Sequence, residues 1–216
     1  MPQKHFTILV TGSTGSGKTS LLQRFKANTF SETYNPTEWM QRGSHTVTVD
    51  GEEIRLVIND ADGRKQYESH SINYYTTMDA IIIIYDISSQ KSVESIEEIC
   101  QLIKKYCKQE MKKPCAVIVG NKSDLQREVN RIDMENFAKK EDMPHIETSA
   151  KTGENVEAVF MSIIKRLAGS SQITITSNNG GSSGSPPTIT TSNNGCSSGS
   201  PPTITTSNNG CSCVII

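Results

Sequence analysis

Apolar and polar positions change period in blocks along this chain. Residues 6–10 form an apolar run of the kind a buried strand presents, and residues 20–25 repeat with helical spacing. Residues 28–43 are polar and contain a proline, which predicts a loop. Two short β-rich runs, 46–49 and 54–58, flank Asp50-Gly51, a dipeptide that favours a tight hairpin. A polar stretch, 60–77, comes before the continuous apolar run 80–85, the pattern of a strand covered on both faces of a parallel sheet. Residues 92–109 predict a helix with Val93, Ile96, Cys100, Ile103 and Cys107 on one stripe. A buried strand over 115–119, a helix over 132–140 ended before Pro144, and a short strand over 145–148 follow. A helix over 154–168 turns Val156, Val159, Phe160, Ile163 and Leu167 inward and is closed by Gly169. Alternating strands and helices with one hairpin predict an α/β fold: a mainly parallel sheet, one antiparallel strand, and helices on both faces. Ligands are then expected beyond the carboxyl ends of the strands.

The pattern stops at about residue 169. Residues 170–216 hold no charged side chain and are mostly Ser, Thr, Asn, Gly and Pro. Ser177-Asn178-Asn179-Gly180 recurs at Ser192-Asn193-Asn194-Gly195 and at Ser207-Asn208-Asn209-Gly210, a fifteen-residue period. That unit is too short and too poor in large apolar residues for a solenoid. It is expected to be a disordered spacer over 170–212, with a mean reach of roughly 33–40 Å. The chain thus divides into a globular domain, 1–169, the spacer, and residues 213–216.

Composition removes several classes of function. With 22 Lys and Arg against 23 Asp and Glu, the net charge is −1, so no overall nucleic-acid footprint is present. No run of eighteen apolar residues predicts a transmembrane helix, and the first residues lack the apolar region of a secretory signal. The six cysteines make no zinc-like pairs. Cys100, Cys107 and Cys115 sit in apolar patterns and are expected to fill space rather than react.

The chemistry starts at Gly12-Ser13-Thr14-Gly15-Ser16-Gly17-Lys18-Thr19, which reads G-x-x-x-x-G-K-[ST] between a predicted strand and a predicted helix. Glycines let the backbone turn tightly, so that successive N–H groups face an anion, and the following helix adds its positive end. Lys18 is placed for the β- and γ-phosphates, and the Thr19 hydroxyl for Mg²⁺. Asn121-Lys122-Ser123-Asp124 follows the predicted strand at 115–119. A carboxylate at Asp124 accepts both N1–H and the N2 amino group of guanine, whereas adenine leaves it unpaired. Ser149-Ala150-Lys151 follows the next strand, and the Ala150 N–H suits the guanine O6.

In this order, these motifs resemble the Ras superfamily of small GTPases over residues 6–167. The resemblance implies GTP/GDP and Mg²⁺ as ligands and a six-stranded P-loop G domain with five helices. Asn59-Asp60-Ala61-Asp62-Gly63 is similar to the family's D-x-x-G. That implies Asp60 holding Mg²⁺ through water and the Gly63 N–H meeting the γ-phosphate. Thr37, in Tyr34-Asn35-Pro36-Thr37, resembles the switch threonine that ligates Mg²⁺, and its release with Gly63 would reorder two loops. Phe30 stands where the family sets an aromatic ring on the base; a core position is the alternative.

Three departures matter. Arg64 follows Gly63 where the family carries a glutamine that orients the attacking water. Arginine has no acceptor lone pair, so it cannot align that water as an amide does. Asp62 adds a negative charge near an anion, and Thr14 stands where glycine is common. Slow hydrolysis is therefore expected, with a GTP-loaded binding module as the alternative. The effector segment runs from Tyr34, Asn35, Pro36 and Thr37 through Glu38, Trp39, Met40, Gln41 and Arg42, and its Trp39 and Met40 suit either an interface or packing back onto the domain. Cys213-Val214-Ile215-Ile216 fits C-a-a-X, which implies prenylation of Cys213; Cys211 is a candidate for palmitoylation. The partners implied are an exchange factor, a GAP and GTP-selective effectors, acting on a monomer at the cytoplasmic face of the plasma membrane.

Overall fold

The computed structural model describes residues 4–33, 41–61, 75, 77–106, 113–169 and 175–176. The strands are β1 (Lys4–Gly12), β2 (Gln41–Val49), β3 (Glu52–Asp60), β4 (Ala80–Asp86), β5 (Cys115–Asn121), β6 (His145–Glu147) and β7 (Ile175–Thr176). Among the described residues the helices are α1 (Lys18–Ala27), α2 (Lys91–Tyr106), α3 (Arg131–Lys140) and α4 (Val156–Ala168). The sheet order is β6-β5-β4-β1-β3-β2-β7. β1 lies parallel to β3 and β4, and β5 parallel to β4 and β6; β2 is antiparallel to β3. β1 to β6 thus form the six-stranded, mostly parallel sheet expected, and β7 adds a short seventh strand at the β2 edge.

β4 shows why the pattern was readable. Ala80, Ile82 and Ile84 enter one core, and Ile81, Ile83 and Tyr85 the other. Alternation across the strand sends successive side chains to opposite faces, so an unbroken apolar run needs cover on both. α1 and α4 supply it on the first face through Leu21, Leu22, Val156, Val159, Phe160 and Ile163. α2 and α3 cover the second through Ile96, Cys100, Ile103, Met134 and Ala138. Phe25 of α1 stacks on Phe160 of α4, with ring centroids 3.6 Å apart. Burial pushes the Cys100 thiol up to about 12, so it stays protonated and inert, as its apolar setting predicted.

Two differences from the sequence reading concern the edge. β2 starts at Gln41, five residues before the β-rich run, because Gln41 to Thr46 pair with β3 by backbone although their side chains are polar. Gln41 and Arg42, expected in the effector loop, therefore lie on a strand. Ile175 and Thr176, within the expected spacer, pair antiparallel with Val49 and Thr48. The hairpin behaves as predicted: Asp50 (φ 51°) and Gly51 (φ 80°) both take left-handed conformations, as a type I′ turn demands.

His145 is packed on Tyr85, whose Oη lies 3.0 Å from His145 Nε2. Burial holds the imidazole below its ordinary pKa; Glu147 and Glu135 oppose the shift, and Arg131 and Arg127 add to it. In acid the unfolded chain takes up a proton that the folded chain resists, so stability is complete above about pH 6.5 and declines below it. His145→Gln is expected to flatten the fall in melting temperature between about pH 7 and pH 5. An unchanged slope in a pH series of thermal melts would remove this assignment.

Candidate nucleotide site

The loop between β1 and α1 spans 13–17, at the carboxyl edge of the sheet. Gly12 has φ 135°, and a Cβ there would run into the Ile84 carbonyl of β4. Gly15 (φ 76°) and Gly17 (φ 88°) are also left-handed, and a Cβ on Gly17 would meet Asn121 Nδ2. Gly12 and Gly17 are thus dictated by close approach and backbone conformation together, and Gly15 by backbone conformation alone. Lys18, 7% exposed, donates from Nζ to the carbonyls of Gly12 at 3.0 Å and Ser13 at 2.7 Å. Its ammonium is therefore held across the mouth of the loop. The Ser13 and Ser16 hydroxyls are buried without a hydrogen-bond partner among the described residues, and Thr14 and Gly15 are exposed at the loop's tip.

Thr19, one residue into α1, donates from Oγ1 to Asp60 Oδ2 at 2.7 Å. Asp60 ends β3 beside Val10 of β1. Burial pushes its carboxyl above the usual range, against the opposing pull of Thr19, Lys18 and Lys26. Its Oδ1 is buried with no hydrogen-bond partner among the described residues. A hydroxyl next to a buried carboxylate with an unmatched oxygen is a hard-oxygen donor set that fits Mg²⁺.

Asn121 ends β5 and ties three segments. Its Nδ2 donates to the Ser16 carbonyl at 2.8 Å, and its Oδ1 accepts from Thr148 Oγ1 and the Ala150 N–H, each at 3.2 Å. The Ala150 N–H, expected on the guanine O6, thus points at the same amide. Lys122 takes φ 69°, and its Nζ pairs with Asp86 Oδ2 at 2.6 Å. Burial works to raise the Asp86 pKa, but hydrogen bonds from Lys122 and Ser88 outweigh it, so the carboxyl titrates below the usual range. Ser149 Oγ donates to Asp124 Oδ1 at 2.5 Å and accepts from the Thr152 N–H at 3.1 Å, which orients the carboxylate. Lys151 Nζ pairs with Glu32 at 2.9 Å; both are exposed. Phe30 is half-buried three residues past the end of α1.

The structure therefore gathers Gly12 to Thr19, Asp60, Asn121, Lys122, Asp124 and Ser149 to Lys151 at one end of the sheet. Thr37, Gly63, Arg64, the effector positions 34–40, Cys211 and Cys213 lie outside the described residues. Three participants carried no motif. Asp86 anchors Lys122, Thr148 anchors Asn121, and Arg24 of α1 donates to the Ala150 and Lys151 carbonyls. Asp86 alone left a trace, as the carboxylate that ends an apolar strand.

An α/β domain with a glycine loop clasping a lysine between strand and helix is a P-loop nucleotide-binding protein. The family model described as "Ras family" matches residues 7–169, and the chain belongs to that family. It is similar to Ras-related protein Rab-30 of Homo sapiens, at 34% identity over 176 residues, covering 81% of this chain and 85% of that one. It is also similar to Ras-related protein Rab-1 of Theileria parva, at 38% over 165 residues, covering 75% and 74%. Membership makes it a small GTPase: a switch that binds guanine nucleotide and hydrolyses GTP.

Proposed function

We propose that this chain is a membrane-anchored GTP switch with slow intrinsic hydrolysis. The observation that carries the rate is Arg64, which follows Asp60-Ala61-Asp62-Gly63 and offers no lone pair to the attacking water. In this reading the phosphates are held by the Gly12 to Gly17 backbone, Lys18 and the Gly63 N–H. Thr19, Thr37 and, through water, Asp60 hold Mg²⁺, which neutralises charge on the β- and γ-phosphates. The buried Thr19–Asp60 pair supports that set. Asp124, oriented by Ser149, reads the guanine edge, Asn121 and Lys122 brace it, and Phe30 lies against the base. Release of the γ-phosphate frees Thr37 and Gly63, so effectors that read 34–42 distinguish the two states. An exchange factor and a GAP set the balance between them.

A second reading shares the site but not the cycle: a GTP-loaded binding module whose output needs no hydrolysis. The same arginine favours it. Arg64→Gln separates the two: faster hydrolysis changes the cellular output of a cycling switch and leaves that of a loaded module unchanged, while single-turnover phosphate release tests the slow rate that both assume. A rate matching that of glutamine-containing relatives overturns both the slow switch and the loaded module.

No described helix is long and apolar enough to cross a membrane. Attachment is assigned to a prenyl group on Cys213, supported by Cys213-Val214-Ile215-Ile216, at the cytoplasmic face of the plasma membrane. A single chain anchors weakly, and no basic run precedes it, so palmitoylation of Cys211 supplies the second signal. Cys213→Ser is expected to move the protein wholly to the soluble fraction, and Cys211→Ser to move part of it. Membrane retention of the Cys213→Ser chain would end the anchor assignment.

A further inference from the structure

Arg24 lies on the second turn of α1, away from the phosphate loop, and all three of its guanidinium nitrogens donate to backbone carbonyls, Nη1 to a side-chain oxygen as well. Nε donates to the Ala150 carbonyl at 2.8 Å and Nη2 to the Lys151 carbonyl at 2.6 Å. Nη1 donates to the Asn28 carbonyl at 2.9 Å and to Asn28 Oδ1 at 3.1 Å. Ala150 and Lys151 belong to the turn whose first residue, Ser149, orients Asp124. The turn closes on itself through the Gly153 N–H to the Ser149 carbonyl and the Ser149 N–H to the Glu154 carbonyl. Its two middle carbonyls are the ones Arg24 takes. Asn28, held left-handed at φ 52°, starts the segment that carries Phe30 and Glu32. Glu32 returns to the same turn through Lys151.

We propose that Arg24 is a positioning residue for guanine recognition. Its planar fork joins the Ser149 to Lys151 turn to α1, the helix that also carries Lys18 and Thr19. The phosphate-binding and base-reading parts of the site are thereby held in one register, and Asp124 is presented at a fixed distance from the loop. A lysine cannot replace it, because a point charge on a flexible stem cannot span two adjacent carbonyls and a third. The inference rests on the assignment of Asp124 to the guanine edge.

The test compares GDP with inosine diphosphate, which keeps the 6-oxo group and N1–H but lacks the 2-amino group that Asp124 accepts. In the wild-type chain GDP is expected to bind more tightly. Arg24→Met keeps the apolar stem and removes the fork; GDP dissociation is expected to quicken by about 10–100-fold, with the preference for GDP reduced about tenfold. Arg24→Lys is expected to fall between the two. GDP dissociation within twofold of wild type overturns the role. So does an equal loss of affinity for both nucleotides, since a merely structural arginine would weaken them alike. Failure of both variants to fold assigns Arg24 to stability and overturns it as well. A wild-type chain with no preference for GDP overturns the Asp124 assignment itself, and the proposal falls with it.

Discussion

Asn121→Ala is expected to weaken GDP and GTP binding by about 10²–10³-fold. The residue is 1% exposed and holds three partners: the Ser16 carbonyl, the Thr148 hydroxyl and the Ala150 N–H. Truncation to a methyl group leaves all three unmatched where water enters poorly. Each orphaned group costs about 1–3 kcal/mol. Relaxation and a single entering water recover part of that, leaving about 3–4 kcal/mol, and each 1.4 kcal/mol is a factor of ten. The loss falls on the nucleotide because the three partners belong to the phosphate loop, to the residue that follows β6 and to the Ser149 to Lys151 turn. Asn121→Asp sharpens the test. It preserves shape and acceptors but sets a carboxylate oxygen against the Ser16 carbonyl, so it should be no better than alanine. Dissociation of a fluorescent GDP measures both variants. A change within about threefold for Asn121→Ala would show that the bracket does not govern the site.

Arg64→Gln is expected to raise single-turnover GTP hydrolysis by about 10²-fold. An amide both donates and accepts, and can hold water in line with the γ-phosphate; a guanidinium only donates. Asp62→Ala is the companion variant, since in the proposed site a carboxylate next to Gly63 would oppose the charge that develops on the transferred phosphoryl group. Its gain should be smaller and should add to that of Arg64→Gln. An unchanged rate in the double variant would mean that another group already aligns the water. A raised rate with unchanged cellular output would favour the loaded binding module over the cycling switch.

The strand that reads most plainly from sequence is one buried on two faces. The run at 80–85 advertises β4 because every side chain in it is buried in one of the two cores. The start of β2 was hidden because Gln41, Arg42 and Ser44 are exposed, and only backbone pairing with β3 makes them a strand. The same logic divides the site. Gly12 to Thr19, Asn121 to Asp124 and Ser149 to Lys151 were legible as motifs because each acts through a fixed local spacing. Arg24 was not, because its targets are carbonyls 126 and 127 residues away, and a carbonyl has no residue identity to search for. Asp86 reaches Lys122 because parallel pairing sets Asp86 beside Asn121, a neighbourhood that exists only in the assembled sheet.

The contact between Gly12 and the Ile84 carbonyl also governs how this gene can drift. Any missense change in a glycine codon adds at least a β-carbon. At this position that atom meets the backbone of a neighbouring central strand, not a side chain able to swing aside. The first glycine of the loop is therefore closed to inheritance by single missense steps. Gly15, where an added β-carbon meets open space, charges only the backbone strain of its left-handed turn.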